Sequence, residues 1–83
     1  MIFFKSMELN NMRTLADKLD DIALGNTFDS EALYNARAHP AITVNDRLML
    51  LRMSYSMSLS TDQYDLQQIA SYIREWEQTN ANK

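Results

Sequence analysis

The sequence predicts an all-α protein: a compact single domain of four helices, with a short second helix and a central apolar third helix. Turn residues are scarce, since 83 residues include one glycine and one proline, whereas a β-sheet protein needs many turns. Apolar residues recur at steps of three and four, which is the period of an α-helix. A chain this short forms one core, so we expect one domain over residues 1–83, with residues 1–8 as a flexible arm and 79–83 as a loose tail.

The first helix is predicted by an apolar stripe along one face. The stripe consists of Met12, Leu15, Ala16, Leu19, Ile22 and Ala23. Asn10 or Asn11 can cap the start of the helix, and Gly25 can end it by adopting a left-handed conformation. We therefore expect a helix between these asparagines and Gly25.

The second helix is predicted by the residues at its two ends. Asp29 can cap its start, and Pro40 prevents it from continuing. We expect a helix of about two turns over residues 30–38, which needs packing against other helices to be stable.

The fourth helix has the clearest start signal. Ser60, followed three residues later by Gln63, matches a capping box. The apolar stripe that follows consists of Leu66, Ile69, Ala70, Ile73 and Trp76. We expect the helix to fray near Thr79.

The third helix, over about residues 45–58, is apolar on two sides, which is typical of a helix buried between other elements. Thr43 or Asn45 can cap it. One side carries Val44, Leu48, Leu51, Tyr55 and Leu59. The opposite side carries Leu50, Met53 and Met57, with Met49 beside them. Residues 53–59 also alternate as a strand would, but no partner strand or hairpin turn is visible nearby, so we prefer a helix.

The methionine-rich side of the third helix is the main functional lead. If the side with Leu48 and Tyr55 faces the core, the other side needs a cover, which is either another helix of this chain or another molecule. Methionine adapts to irregular surfaces and is frequent where proteins bind partners. The candidate partner-binding residues are therefore Met49, Leu50, Met53 and Met57.

His39 and three aspartates are the residues to consider for chemistry. His39 is the only histidine and has no accompanying nucleophile motif, so we interpret it as structural or solvent-facing. Asp17, Asp20 and Asp21 can share a helix face, and a solvated face in which Asp17 pairs with Arg13 explains them better than a metal site. We therefore predict no catalytic residue, no cofactor, no metal and no small-molecule substrate.

Arg37, Arg47 and Arg52 carry the alternative prediction, a nucleic-acid-binding transcriptional regulator. They lie in the second and third helices and could form a positive patch that contacts phosphates. The net charge of −3 and the pI near 4.9 disfavour nucleic acid as a partner. The glycine-bearing turn of a helix-turn-helix is also missing.

Together these observations predict a small non-enzymatic protein that acts by protein–protein interaction, as an adaptor, inhibitor or regulator, or by self-association as a homodimer. Small acidic helical chains are common among phage and plasmid accessory proteins, which gives the same expectation. The apolar start of the chain is too short for a signal peptide, no run of residues could span a bilayer, and cysteine is absent. We therefore expect a cytoplasmic protein without membrane contact.

Overall fold

Four α-helices form the regular structure of residues 13–81, the part of the chain that the computed structural model describes. They are α1 (Leu15–Ala23), α2 (Ser30–Arg37), α3 (Val44–Tyr55) and α4 (Asp62–Ala81). This arrangement confirms the predicted all-α, four-helix fold and its short second helix. The predicted arm at residues 1–8 lies outside the described residues.

Helix α1 begins later than its predicted caps suggested. The Thr14 hydroxyl accepts a hydrogen bond from the Asp17 backbone N–H at 3.1 Å, so Thr14 caps the helix and the prediction of Asn10 or Asn11 was wrong. At the other end Gly25 has a φ of 79°, the left-handed conformation that was predicted. The described part of the predicted stripe faces inward: Ala16, Leu19, Ile22 and Ala23 are buried and Leu15 is partly buried.

Helix α2 has the predicted start and length. The Asp29 carboxylate accepts a hydrogen bond from the Ala32 backbone N–H at 3.1 Å, and the helix ends at Arg37, before Pro40. Its buried residues are Ala32, Leu33 and Ala36.

Helix α4 starts later than the capping box predicted. The Ser60 hydroxyl lies 3.0 Å from the Ser58 hydroxyl and does not cap a helix, because the chain turns at Ser58, whose carbonyl accepts the Asp62 N–H at 2.7 Å. The helix therefore begins at Asp62, and it continues to Ala81, past the predicted fraying point at Thr79. Leu66, Ile69, Ala70 and Ile73 are buried as predicted, and Trp76 keeps 38% of its surface exposed.

The third segment, for which a strand was the alternative, forms a helix. Thr43 caps it, since its hydroxyl accepts the Asp46 backbone N–H at 3.2 Å. The helix ends at Tyr55, and Ser56 is extended, with φ −158° and ψ 114°. The alternating pattern of residues 53–59 therefore covers the end of a helix and the start of a loop.

The orientation of α3 is opposite to the one that the sequence analysis considered. Leu50 and Met53 are fully buried in the core, whereas Leu48 and Tyr55 are 61% and 83% exposed. At 100° per residue, Arg47 and Arg52 flank the exposed side, so burying that side would carry two arginines toward the core at a high desolvation cost.

The helices associate chiefly as two pairs, α1 with α4 and α2 with α3. The pairs join through α1 and α2, while α3 approaches α4 at few points. Helix α3 therefore borders the core with one side and leaves two other surfaces open, one toward solvent beside α2 and one along the gap to α4.

Candidate protein-binding surfaces

The first open surface lies where α2 and α3 pack side by side, and we call it the outer face. It surrounds a shallow depression of about 260 Å³ and consists of Tyr34, Arg37, Ala38, Arg47, Leu48 and Leu51. Tyr34 and Leu48 are 65% and 61% exposed. Val44 and Tyr55, also exposed, extend the apolar side of α3 toward its two ends. The outer face is therefore an apolar and aromatic surface in contact with water.

Two arginines give the outer face its charge. Arg37 lies over the ring of Tyr34, with 5.9 Å between the guanidinium carbon and the ring centroid, a cation–π contact. Among residues 13–81 neither Arg37 nor Arg47 forms an ion pair, and no carboxylate lines the depression. The outer face is therefore positively charged on a chain whose net charge is −3.

Arg52, the third arginine of the nucleic-acid prediction, forms an ion pair away from the outer face. Its two Nη atoms donate to the Asp62 carboxylate at 2.9 and 2.6 Å. Asp62 is 2% exposed and also accepts the Ser58 backbone N–H at 2.9 Å. The hydrogen bonds from Arg52 lower the pKa of the Asp62 carboxyl below its ordinary value. Arg37 and Arg47 thus lie together, whereas Arg52 joins the end of α3 to the start of α4.

The second open surface is a larger groove of about 730 Å³ between α3 and α4. Its floor is apolar and aromatic: Met49 comes from α3, and Ile69, Tyr72 and Trp76 come from α4. Tyr72 and Trp76 are 45% and 38% exposed, so their rings are open to a ligand. We call this surface the acidic groove because of the side chains on its rim.

Among the described residues, the charged side chains that line the acidic groove are all carboxylates. Asp46 lies in the first turn of α3, Asp65 in the first turn of α4, and Glu75 further along α4. No lysine or arginine is among the lining residues, and within residues 13–81 these three carboxylates form no ion pair. The groove therefore presents a negative rim around an apolar floor.

His39 fixes one end of the acidic groove. Its Nδ1 accepts the Ala41 backbone N–H at 3.1 Å, and its Nε2 lies 3.5 Å from the Glu77 carboxylate. Its ring packs against the Trp76 ring in a T-shaped arrangement, with 5.0 Å between centroids and an interplanar angle of 80°. These contacts hold the loop between α2 and α3 against α4, which is the structural role that the sequence suggested.

The acidic cluster of α1 is engaged in ion pairs. Arg74 of α4 donates to the carboxylates of Asp17 and Asp20 at 2.9 Å each. Arg13 pairs with Asp21 and donates to the Asp17 backbone carbonyl at 3.2 Å, so the predicted pair of Arg13 with the Asp17 carboxylate was wrong. The hydrogen bond from Arg74 lowers the pKa of Asp17. The cluster thus joins α1 to α4.

The four residues predicted to bind a partner have different positions. Leu50 and Met53 fill the core and are not available to a partner in this fold. Met57 is partly buried and packs against the core. Met49 is also partly buried and lines the acidic groove, so it alone of the four belongs to an open concave surface.

Four further groove residues on α4 were not predicted from the sequence to bind a partner, although a signal was present. Asp65, Gln68, Tyr72 and Glu75 recur at steps of three and four, which places them on one side of α4 next to its buried stripe. This second stripe, mixed aromatic and acidic, lies outside the core and forms the α4 wall of the groove.

The fold defines the class of the protein: an all-α, four-helix protein with two open surfaces on α3. No protein-family model, curated protein or solved structure matches the chain. Within the described residues, every helix is too short or too polar to cross a lipid bilayer.

Proposed function

We propose that the protein is a non-enzymatic binding protein, acting as an adaptor, inhibitor or regulator, that contacts a protein partner through the outer face. The supporting observation is the exposure of three large apolar residues on one side of α3. Val44, Leu48 and Tyr55 are 68%, 61% and 83% exposed, while the opposite side of the same helix is in the core. Apolar surface gathered on one face in this way is typical of interaction sites.

The residue types on the outer face favour a protein partner. Tyrosine and arginine are enriched among the residues that contribute most to binding energy at protein interfaces. Tyr34 and Arg37 are already stacked on one another, so less side-chain entropy is lost when they are covered. Arg37 and Arg47 form no ion pair with the residues that the structure describes, which indicates a partner surface that combines apolar side chains with carboxylates.

Charge argues against a second copy of the chain as this partner. In a two-fold symmetric dimer the same patch lies on both sides of the interface. The positive charges of Arg37 and Arg47 would then face one another, and within residues 13–81 no carboxylate lines the depression to offset them. The proposed partner is therefore a different protein.

Two exposed tyrosines of nearly equal accessibility allow a matched test. Tyr34, on the outer face, is 65% exposed, and Tyr64, on α4 and outside both surfaces, is 66% exposed. A partner captured from the native host by the wild-type chain should be lost with Tyr34→Ala and kept with Tyr64→Ala. Equal retention by both variants would contradict the proposal.

Two further measurements separate the alternatives. Light scattering should give a mass of 9.7 kDa at high protein concentration, and a doubled mass that Tyr34→Ala returns to 9.7 kDa would indicate a homodimer instead. Titration with duplex DNA at low salt should give no complex. A salt-sensitive complex that Arg47→Gln weakens would indicate the nucleic-acid alternative.

A further inference from the structure

The acidic groove has the size and opening of a site for a helix. It runs between α3 and α4 where these two helices approach one another at few points. A helix about 10 Å across occupies roughly 120 Å³ per residue, so the volume of about 730 Å³ holds the equivalent of about six residues. A partner helix that inserts only its apolar side would extend over two or three turns.

The floor of the groove matches the apolar side of such a helix. Met49 is flexible and can adapt to the side chains that it meets. Ile69 and Trp76 supply apolar and aromatic surface, and the Trp76 ring packs nearly perpendicular to the ring of His39. Apolar floors between two helices are the usual setting for the binding of an amphipathic helix.

The rim of the groove determines the charge of the partner. Asp46, Asp65 and Glu75 surround the floor, and in the part of the chain that the structure describes no cationic residue lines it. Anionic partners such as nucleic acid or an acidic helix would be repelled, whereas lysines or arginines beside an apolar stripe would find complementary charges. We propose that the acidic groove is a second docking site, which takes a cationic amphipathic helix of a partner protein.

The two sites lie on different surfaces of α3, each beside the side that packs into the core, and they differ in charge. Asp46 and Met49 line the acidic groove, while Arg47 and Leu48 belong to the outer face. A chain with both sites can hold two different partners at once, which is the property of an adaptor. The groove is inferred from its own residues and does not depend on the function proposed for the outer face.

The test uses the full 83-residue chain and two synthetic peptides that lack tryptophan. Both peptides carry leucines at helical spacing, one with lysines and the other with glutamates on the polar side. Trp76 is the only tryptophan of the chain and lies on the groove floor, so its fluorescence reports occupancy directly. The lysine peptide should shift the Trp76 emission in a saturable way and bind more weakly as salt is raised, and the glutamate peptide should not bind.

Two exposed glutamates provide matched variants. Glu75→Gln removes a rim charge, whereas Glu31→Gln removes an exposed charge of α2 outside the groove. Glu75→Gln should weaken binding of the lysine peptide about threefold, and the double variant with Asp65→Asn about tenfold. Glu31→Gln should have no more than a marginal effect.

Several results would overturn the proposal. Equal binding of both peptides would show that the rim has no role, and equal losses with Glu75→Gln and Glu31→Gln would show attraction by net charge only. A doubled mass in light scattering that the double variant reverses would make a second copy of the chain the occupant. Tyr34→Ala should leave peptide binding unchanged, so failure at the groove and failure at the outer face are distinguishable.

Discussion

Replacing Leu50 or Leu48 by alanine tests which side of α3 faces the core. Leu50 is fully buried, so Leu50→Ala removes the equivalent of three buried methylene groups, about 2.4 kcal/mol at ~0.8 kcal/mol each. The cavity that remains raises the expected loss to roughly 3 kcal/mol or more. Leu48 is 61% exposed, so Leu48→Ala should cost about 1 kcal/mol or less. Leucine and alanine are both good helix formers, so the difference between the variants reports burial.

The free energy of unfolding is measured by urea titration, followed by far-ultraviolet circular dichroism. A chain of 83 residues is expected to have a stability of roughly 4 to 12 kcal/mol, so Leu50→Ala will be strongly destabilised. Leu50→Val, with an expected loss of about 1 kcal/mol, keeps the test informative if the alanine variant does not fold. Equal losses for Leu50→Ala and Leu48→Ala, or a larger loss for Leu48→Ala, would refute the orientation of α3.

Three further predictions concern the turns and caps. Gly25→Ala should lower the free energy of unfolding, measured by thermal denaturation, by about 1 kcal/mol, because φ is 79° and the new Cβ would lie 3.0 Å from Leu59 Cδ1. A variant more stable than wild type would contradict the left-handed conformation of Gly25. Thr43→Ala should lower the free energy of unfolding by about 1 kcal/mol because it removes the cap of α3, whereas Thr43→Ser should keep most of that stability. Equal stability of the two variants would exclude capping by the hydroxyl. Asp62→Asn should lower the free energy of unfolding by roughly 1 to 3 kcal/mol, because it removes the carboxylate that pairs with Arg52. Since Arg52 lowers the pKa of Asp62, its stabilisation is present above the ordinary value of 3.8 and is lost as pH falls through the folded-state pKa. The difference between Asp62→Asn and wild type should therefore shrink in acid, and a constant difference from pH 7 to pH 2 would contradict the ion pair.

The fold class could be predicted from the sequence because the helix caps and the helical periodicity agree with one another. Asp29 starts a helix, Gly25 ends one, and in both cases the structure shows the predicted conformation or hydrogen bond. The buried stripes of α1 and α4 follow from helical periodicity alone. Such signals act within a few residues, which is why they can be recognised without knowing the tertiary contacts.

The start of α4 and the orientation of α3 depend on contacts between distant residues. Asp62 pairs with Arg52 and receives the Ser58 N–H, and this turn displaces the start that Ser60 would otherwise favour. Both sides of α3 are apolar enough to be buried, so hydrophobicity alone does not choose between them. The sequence signal that distinguishes the two sides is the position of Arg47 and Arg52, which flank the exposed stripe.

The binding surfaces were only partly predictable for the same reason. Arg37 and Arg47 lie on the same surface and Met49 lies in a groove, but the positions of Arg52 and Met53 depend on contacts that local sequence patterns do not reveal. The exposed surface consists of the residues that do not pack into the core. An error in the orientation of one helix therefore exchanges core residues with surface residues.

Thiol labelling measures the orientation of α3, because the function proposed for the outer face requires the side with Leu48 to be exposed and the side with Met53 to be buried. The chain contains no cysteine, so Leu48→Cys and Met53→Cys each introduce a single reporter. Under native conditions the thiol at position 48 should react with a disulfide reagent about as fast as in the unfolded chain, and the thiol at position 53 at least about a hundredfold more slowly. Rapid reaction at position 53 together with protection at position 48 would contradict the account.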